Sequence, residues 1–365
     1  MIQISKPIIG PEEEKAVFEV LKSGMLAQGP KVKELEEKFA AFCGAKHAIA
    51  MNSGTAALHA CMHALGLKPG DEVITTPFTF VASANSILMQ GAKPVFADIE
   101  EDTFNLDPAQ VEKKITPKTK AILPVNLYGQ MCHVKKFREL AKKHKLFLIE
   151  DACQSVGAES DGVKSGVIGD MAAFSFYATK NLMCGEGGIV TTNNADWAEL
   201  CKRFRHHGQS EQTHYEYYDI GYNYRMMDLV AAIGIAQLGK ITDFTKKRIE
   251  NAHKLTEGLK GIKGIITPKT APGSKHVYHQ YVISVEKNRD ALLNYLKEHG
   301  VGAAIHYQKP LHLHPHFARM GYKPGDFPVA EKASQQILSL PVHPALTDED
   351  IKTIIKQVKE WASHA

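Results

Sequence analysis

The chain has 365 residues, of which 44% are hydrophobic and 23% are charged. This composition is typical of a globular protein with a large core, and the length suggests about two domains. The formal net charge of +4 is small and scattered, which does not favour nucleic-acid binding, because that function needs a basic stripe or a recognisable module.

The cysteine and apolar patterns predict a cytoplasmic protein. The six cysteines include no C-x-x-C pair and fit reduced thiols better than a disulfide framework. The acidic, amphipathic residues 1–20 do not have the pattern of a signal peptide. No apolar run approaches the roughly 18 residues that a membrane span requires, so we expect no membrane partner.

From about residue 46 to 192, short apolar strands alternate with helical stretches. Several strands have no polar alternation, as expected of a sheet that is buried on both faces. The alternation predicts an α/β three-layer domain with a mostly parallel seven-stranded sheet, in which ligands bind at the carboxyl ends of the strands. The predicted strands are "KHAIAM", "DEVITT", "AKPVFAD", "TKAILPV", "KLFLIED", "MAAFSF" and "GGIVTT".

The stretch "NSGTAALHA" at 52–60 follows a predicted strand and opens a predicted helix. Amides at a helix N-terminus bind anions, and glycine lets the ligand approach closely. Ser53, Gly54 and Thr55 are therefore a candidate phosphate site, although a simple capped helix start has the same pattern. The P-loop motif and the G-x-G-x-x-G motif after a strand are both absent from the sequence.

Asp151 ends the strongly apolar strand in "LFLIEDACQSVGA", where a carboxylate is unexpected. A buried ionised carboxylate needs a positive partner or several hydrogen-bond donors. Gln154 follows three residues later and could place its amide beside the same ligand. An equally good alternative is that Asp151 caps the N-terminus of a following helix.

Lys180 lies in "FSFYATKNLMCGEGG", between an aromatic-rich apolar run and a glycine cluster. Burial disfavours a charged ammonium, so Lys180 either emerges on a surface turn or bonds covalently to a carbonyl cofactor. We expect it and Ser175 at the same sheet edge as Asp151 and the turn at 53–55. Pyridoxal phosphate (PLP) needs a lysine, an anion site and an acidic partner for its ring nitrogen, so the set predicts a PLP site.

Residues 228–258 form one long helical pattern with Asp228 as its predicted N-cap. We expect this helix to link a large domain, residues 1–240, to a small α+β domain, residues 241–365. The small domain shows apolar stretches and two helical patterns, the last of which opens at Thr347 with capping-box spacing. The apolar stretches are 276–285, 302–308 and 337–343, and the first helix is expected near 289–299.

The stretch "HLHPH" at 312–316 resembles a metal site at first sight. No cluster of Cys, Asp or Glu at metal spacing accompanies it in the sequence, and Pro315 interrupts regular geometry. We therefore predict surface or loop histidines and no metal.

Taken together, these motifs resemble the DegT family of PLP-dependent nucleotide-sugar aminotransferases, which have the fold-type-I aminotransferase architecture. The resemblance covers nearly the whole chain, and the order and spacing of the motifs are more specific than any one of them. They are "GPKVKELEEKFA", "NSGTAAL", "PFTFVAS", "PVNLYGQ", "IEDACQSVGA", "SFYATKNL..GEGG", "GYNYRM", "HYQKPLH" and "LSLPVHPAL".

The resemblance implies roles around the cofactor ring. Lys180 would bond to PLP and move protons between the substrate and the cofactor. Asp151 would keep the pyridine nitrogen protonated, Gln154 would contact the 3-hydroxyl group, and Phe80 would stack on the ring. A branch of the family that acts as dehydratases has histidine at the lysine position, so Lys180 favours transamination.

The resemblance also implies how the phosphate and substrate bind. The amides of Gly54 and Thr55 and the hydroxyl of Ser175 would bind the phosphate. Asn223, in "GYNYRM", would reach the phosphate of the neighbouring subunit, which implies a homodimer with its active site at the subunit interface; the alternative is an ordinary turn asparagine. His306 would contact the sugar substrate, although the following Gln308 departs from the commoner "HYP" form.

These observations predict a transaminase that moves an amino group from an amino acid, L-glutamate above all, to a nucleotide-linked keto-sugar, as in polysaccharide biosynthesis. An alternative acceptor is a keto-cyclitol or a related carbocycle. An alternative of another class is a non-catalytic, PLP-binding regulatory protein on the same scaffold. The sequence contains no motif that identifies the nucleotide or the ring carbon that is aminated.

Overall fold

A computed structural model describes residues 1–210, 212–213 and 215–364. The helices are α1 (Pro11–Ser23), α2 (Pro30–Cys43), α3 (Gly54–Ala64), α4 (Ala82–Met89), α5 (Pro108–Glu112), α6 (Val134–His144), α7 (Ala195–Arg205), α8 (Asp228–Leu259), α9 (Arg289–Glu298), α10 (Pro315–Ala318), α11 (Pro328–Gln336) and α12 (Asp348–His364). The strands are β1 (His47–Met51), β2 (Glu72–Thr75), β3 (Lys93–Phe96), β4 (Thr119–Leu123), β5 (Phe147–Asp151), β6 (Glu159–Ser160), β7 (Val163–Lys164), β8 (Met171–Ser175), β9 (Gly188–Thr192), β10 (Ile265–Ile266), β11 (Ser274–Lys275), β12 (Tyr281–Val285) and β13 (Ile337–Leu340).

The central sheet has seven strands in the order β1-β9-β8-β5-β4-β2-β3. The pairs from β8 through β3 are parallel, whereas β9 is antiparallel to both of its neighbours. All seven strands predicted in the first half of the chain form this sheet, so the prediction of a mostly parallel α/β sheet is confirmed.

The sheet is buried on both faces because alternate residues of one strand pack against different helices. In β1, Ile49 and Met51 pack in a cluster with side chains of α3, whereas Ala48 and Ala50 pack in a cluster with side chains of α2 and α8. Helix α6 packs over the strands β2, β4 and β5 on a further part of the sheet. The absence of polar alternation in these strands is the sequence signature of this three-layer arrangement.

The long helix predicted for 228–258 is present as α8, but the predicted role of Asp228 is wrong. Met227 occupies the N-cap position, and the Asp228 carboxylate instead caps helix α2. It accepts hydrogen bonds from the amides of Gly29 at 2.8 Å, Lys31 at 3.0 Å and Val32 at 3.0 Å. Gly29 is the N-cap of α2 and has no side chain that could do this, so the cap comes from a distant part of the chain.

The last third of the chain builds a second, smaller sheet of three antiparallel strands, β10-β12-β13. Side chains of α8, α9 and α12 pack with it in one apolar cluster. The stretch at 302–308 contributes no named strand, only a bridge between Ala304 and Ser339. The division at residue 240 stays a prediction, since α8 packs with both sheets.

Two features of the chain ends affect the smaller sheet. Thr347 and Asp350 form the predicted capping box of α12, because each accepts a hydrogen bond from the other's amide, at 3.1 Å and 2.9 Å. Near the start of the chain, Ile2 bridges to Val301. Within the described residues, no helix has both the length and the hydropathy that crossing a bilayer would require.

Candidate active site

The turn at 53–55 packs directly against the ends of two central strands. Ser175, the last residue of β8, pairs with Gly188, the first residue of β9. A Cβ on Gly54 would lie 2.7 Å from the Cβ of Ser175, and a Cβ on Gly188 would lie 2.3 Å from the carbonyl oxygen of Ser53. Glycine is therefore required at both positions, and the start of α3 is held against the strand ends.

Ser53 caps helix α3, because its hydroxyl accepts a hydrogen bond from the Ala56 amide at 3.1 Å. The interpretation as a capped helix start is thus confirmed, and it is compatible with anion binding. Gly54 and Thr55 occupy the first two helical positions, where the helix supplies no acceptor for the amides. Their N–H groups, together with the neighbouring Ser175 hydroxyl, form a candidate site for a phosphate.

Asp151 is 3% exposed at the end of β5 and receives two hydrogen bonds. The hydroxyl of Ser83 donates to Oδ2 at 2.7 Å, and the amide of Cys153 donates to Oδ1 at 3.2 Å. The residues after Asp151 form turns and no helix, so the alternative interpretation as a helix N-cap is wrong. The carboxylate is a buried acceptor at the carboxyl edge of the sheet, the place where ligands bind in such folds.

Lys180 lies on the turn that follows β8 and is half-buried. Burial lowers the pKa of its ammonium group, and the negative charge of the Asp151 carboxylate opposes part of that shift. Asp151 ends β5 and Lys180 follows β8, the parallel neighbour of β5, so both residues lie at the carboxyl edge of the sheet. A lysine with a lowered pKa has a larger neutral, nucleophilic fraction at neutral pH, which a bond to a carbonyl group requires.

Gln154 and Phe80 lie next to this carboxylate but differ in exposure. Gln154 is 5% exposed, and its Oε1 accepts a hydrogen bond from the Tyr128 amide at 2.8 Å. Its Nε2 donates to the hydroxyl of Tyr307 at 3.2 Å. The Phe80 side chain is 57% exposed, so its ring is free to cover a ligand.

His306 is drawn into the same region from the smaller sheet. Its Nδ1 lies 3.0 Å from the hydroxyl oxygen of Ser339, and its carbonyl oxygen accepts a hydrogen bond from the Tyr128 hydroxyl. Burial lowers the pKa of His306 to about 4, and the nearby charge of Lys180 contributes to the shift. His306 is therefore neutral near pH 7.

Asn223 is exposed and lies beside the turn at 53–55 of its own chain. Its carbonyl oxygen accepts a hydrogen bond from Asn52 Nδ2 at 3.3 Å, and its backbone forms a bridge with His206. The neighbouring Tyr224 carbonyl accepts a hydrogen bond from the Asn52 amide at 2.8 Å. The loop is therefore anchored to the phosphate turn, while a contact between Asn223 and a second subunit stays a prediction.

The histidines at 312–316 do not all lie on the surface. His312 is 0% exposed and its Nε2 lies 2.9 Å from Oε1 of Glu331, which corrects the prediction of surface or loop histidines for this residue. The apolar environment of a short helical turn (Leu311–Leu313) explains its burial. Among the residues with described positions, no group of three or more His, Cys, Asp or Glu side chains could hold a metal ion.

Two contributors to the site were missed by sequence reasoning, Ser83 and Tyr307. The hydroxyl of Ser83 donates a hydrogen bond to the Asp151 carboxylate. The hydroxyl oxygen of Tyr307 accepts a hydrogen bond from the side-chain amide of Gln154. Burial and the Asp151 charge raise the pKa of the Tyr307 hydroxyl, so it stays protonated. Both residues lie inside motifs quoted above, "PFTFVAS" and "HYQKPLH", but only the three-dimensional contacts assign them a partner.

The side chains and amides gathered at this sheet edge fit the chemical groups of PLP. A lysine with a lowered pKa lies near a buried carboxylate, and a glycine-lined helix start lies against a serine hydroxyl at the same sheet edge. These groups match an aldehyde, a pyridine nitrogen and a phosphate respectively.

Comparison with known proteins gives three main findings. The model of the DegT/DnrJ/EryC1/StrS aminotransferase family matches residues 7–359. The chain is 42% identical over 373 residues to a spore coat polysaccharide biosynthesis protein, SpsC, of Bacillus subtilis, with 98% of this chain and 96% of that protein covered. It is 39% identical over 352 residues to a dTDP-3-amino-3,4,6-trideoxy-alpha-D-glucose transaminase of Streptomyces venezuelae, with 96% and 92% covered.

Among solved structures, the chain is similar to the PLP form of a putative sugar aminotransferase, Spr1654, of Streptococcus pneumoniae. The TM-score is 0.95 at 29% sequence identity, and the alignment covers 100% of this chain and 99% of that one. The likeness therefore extends over the whole architecture.

Proposed function

Because the chain belongs to the DegT/DnrJ/EryC1/StrS aminotransferase family, we propose that it transfers the amino group of L-glutamate to a keto-sugar that is linked to a nucleoside diphosphate. The chain is a PLP-dependent aminotransferase, as its family and its structural neighbours show. The identity of donor and acceptor is the proposal. The single observation that carries it is the arrangement at the carboxyl edge of the central sheet, where the buried Asp151 ends β5 and the glycine turn at 53–55 packs against Ser175 at the end of the neighbouring β8.

PLP supplies an electron sink that stabilises negative charge on the substrate carbon after a proton is removed. Asp151 would hold the ring nitrogen, and the hydrogen bonds from Ser83 and Cys153 orient its two oxygens. The carboxylate keeps that nitrogen protonated. Gln154 would contact the ring hydroxyl, and the exposed ring of Phe80 would cover the cofactor and exclude water.

Lys180 acts as the acid and base of the reaction. Its lowered pKa brings the amine closer to neutral pH, where a group can both accept and donate a proton efficiently. Gly54, Thr55 and Ser175 hold the phosphate, which fixes the position of the reacting carbon relative to the lysine. His306, neutral near pH 7, contacts the sugar as a hydrogen-bonding group and not as a cation.

The nucleotide-linked acceptor is supported by the relatives. One relative is named as a transaminase of a dTDP-linked amino sugar, and another by spore coat polysaccharide biosynthesis. Both cover nearly all of this chain, so the acceptor-binding regions are included in the alignment.

A homodimer completes the proposal. Several large apolar side chains of the loop before α8 are exposed in the single chain, and Asn223 is exposed at its end. These side chains are Tyr215, Tyr217, Tyr218, Ile220 and Tyr222. Several exposed apolar side chains on one loop favour a protein interface, and in the proposed dimer Asn223 would lie near the partner's phosphate turn. A cytoplasmic location belongs to the same proposal.

The test separates the two half-reactions of the PLP-loaded protein. We expect L-glutamate to bleach the absorbance of the bound cofactor and to release 2-oxoglutarate, which mass spectrometry detects. The aminated enzyme is then offered a panel of nucleotide-linked keto-sugars and keto-cyclitols. Amination of cyclitols alone would replace the proposed acceptor, and release of no keto acid from any amino acid would contradict the transaminase.

A further inference from the structure

The side-chain amide of Gln154 is fixed by a hydrogen bond at each of its two ends. Its Oε1 accepts from the Tyr128 backbone amide at 2.8 Å, and its Nε2 donates to the Tyr307 hydroxyl oxygen at 3.2 Å. A backbone N–H can only donate, so the atom that faces it must be the oxygen, and the nitrogen must face Tyr307. Gln154 therefore presents a hydrogen-bond donor on the side of Tyr307.

The turn that holds the oxygen of Gln154 is itself fixed by the backbone. The carbonyl oxygen of Tyr128 accepts a hydrogen bond from the Gln280 amide at 3.3 Å, and that of Gly129 accepts one from the Val277 amide at 3.0 Å. The two donors belong to the segment that leads into β12 of the smaller sheet. The Tyr128 amide is therefore a fixed donor for Gln154.

Tyr128 also binds the segment that carries Tyr307. Its hydroxyl donates a hydrogen bond to the His306 carbonyl oxygen. Together with the two hydrogen bonds of Gln154, this contact closes a ring that joins the turn at 127–129, the turn after β5 and residues 306–307. Closed polar networks restrain their members more than separate pairs do. The position of Gln154 therefore depends on the segment at 306–307.

Tyr307 is suited to hold the nitrogen of Gln154. Its ring packs edge-on against Phe78, at an interplanar angle of 88° with the ring centroids 6.4 Å apart. The titratable side chains that act on its hydroxyl are Asp151, Cys153 and Tyr128. Burial first, and then the Asp151 charge, raise the pKa of this hydroxyl. Tyr307 therefore stays neutral near pH 7 and accepts the hydrogen bond with a lone pair.

One N–H of Gln154 stays available for a ligand. Nε2 carries two hydrogens, and among the residues that the structure describes only the Tyr307 hydroxyl accepts from it. Because the two N–H groups of an amide lie in one plane at a fixed angle, the contact with Tyr307 sets the direction of the second N–H. A donor of this kind stabilises a ring oxygen in its unprotonated, negatively charged form.

We propose that Tyr307 is a positioning residue of the cofactor site, whose hydroxyl directs the free N–H of Gln154 at the ring oxygen of PLP and so lowers the pH at which the bound cofactor loses its proton. This inference rests on the proposed function, because it takes over the assignment of Gln154 to the ring hydroxyl group. Since His306 belongs to the same ring of hydrogen bonds, the segment proposed to contact the sugar also positions a group that contacts the cofactor.

The first experiment follows the absorbance of PLP bound to Tyr307→Phe as the pH is raised. Phenylalanine keeps the ring against Phe78 but cannot accept from Gln154, so the donor is no longer directed at the ring oxygen. We expect the pH of the absorbance change to rise by about 0.4–1 unit, the equivalent of one hydrogen bond. The matched control is Tyr281→Phe, which removes a buried hydroxyl 2.9 Å from Thr256 Oγ1 and should leave that pH unchanged.

The second experiment tests whether Tyr307 acts through Gln154. Gln154→Leu removes the donor and should raise the pH of the absorbance change at least as much as Tyr307→Phe does. Adding Tyr307→Phe to Gln154→Leu should cause no further rise, because the shared contact is already lost. Fluorescence titration of the apoprotein with PLP should show binding weakened about 2- to 10-fold in each single variant, and no further in the double variant.

The outcomes separate this inference from the proposed function. Unchanged absorbance and PLP binding in Tyr307→Phe, or additive effects in the double variant, would overturn the positioning role and leave the transaminase intact. The expected shifts in a protein that releases no keto acid from glutamate would keep the positioning role and remove the proposed donor. An equal shift in Tyr281→Phe would reveal a general effect of losing a buried hydroxyl and would also overturn the inference.

Discussion

At the residue scale, Lys180 is the group on which the chemistry depends. Replacing it by alanine removes both the covalent attachment and the acid–base group, and acid–base catalysis alone contributes about 10²- to 10⁴-fold. We expect Lys180→Ala to lower the rate of keto-acid release from glutamate by at least about 10³-fold. The control is Lys263→Ala, an exposed lysine away from the site. Retention of wild-type deamination in Lys180→Ala would contradict the assignment.

Glu150, the neighbour of Asp151, makes the stability of the protein depend on pH. It is 0% exposed and accepts hydrogen bonds from Asn126 Nδ2 at 2.6 Å, Ser165 Oγ at 2.6 Å and the Gly166 amide at 2.8 Å. Burial nevertheless raises its pKa to about 7. Since the folded protein then holds this proton more tightly than the unfolded chain, stability falls as the pH rises between about 4.5 and 7.

The prediction for Glu150 is a difference between two pH values. Relative to Glu150→Gln, which does not ionise, the wild type should lose about 2–3 kcal/mol of unfolding free energy between pH 5 and pH 8. Denaturant unfolding at both pH values measures it, and the comparison removes any constant effect of the altered hydrogen bonds. Glu298→Gln, at an exposed position, is the control. Parallel pH profiles for wild type and Glu150→Gln would show that the carboxyl is not perturbed.

At the scale of elements, Asp228 joins the starts of two helices. Its carboxylate accepts three amide hydrogen bonds at the start of α2 while its own backbone begins α8. Asp228→Ala leaves these amides without an acceptor, so we expect a loss of about 2–3 kcal/mol in unfolding free energy. Asp243→Ala, an exposed change on the same helix, should cost less than about 1 kcal/mol. Equal stability of the two variants would contradict the capping role.

The same residue shows what the sequence can and cannot predict. The seven central strands were predictable because each is a short apolar run, and the lack of polar alternation within the run itself indicates burial on both faces. The partners of Asp228 lie up to 199 residues away, and the partner of Gln154, Tyr307, lies 153 residues away. Local patterns contain no information on such contacts.

The residues of the candidate site could be predicted only in part. Lys180, Asp151 and the turn at 53–55 could be placed at one sheet edge because they follow predicted parallel strands or precede a predicted helix. His306 could be nominated only through the family resemblance, and the structure shows that it enters the region from the smaller sheet. Topology therefore predicted the part of the site that the central sheet supplies.

At the scale of the whole molecule, the proposal that two subunits share each active site can be tested with mixed dimers. We expect Lys180→Ala and Asn223→Ala each to lower activity alone. If Asn223 serves the neighbouring subunit, a hybrid of the two contains one site with both native residues, and random mixing should restore about a quarter of wild-type activity, as expected for closed two-fold dimers.

Activity of the mixed sample is measured after unfolding and refolding the two variants together, and sedimentation confirms the dimer. A mixture of Lys180→Ala with itself is the control and should stay inactive. No gain in the mixed sample would mean that Asn223 acts within its own chain, where the structure already anchors it beside Asn52.

The start of the chain is bonded to the segment that precedes the smaller sheet's last strand and then runs to a small cavity lined by Lys180. The amide of Ile2 donates to the Gly300 carbonyl at 2.7 Å, and residues 5–8 line the cavity beside Lys180 and Arg248. A purification tag fused ahead of Met1 would therefore lie only a few residues from the turn that contains Lys180. Kinetic work on this enzyme should carry its affinity handle after α12, or cleave an N-terminal one before any substrate is added.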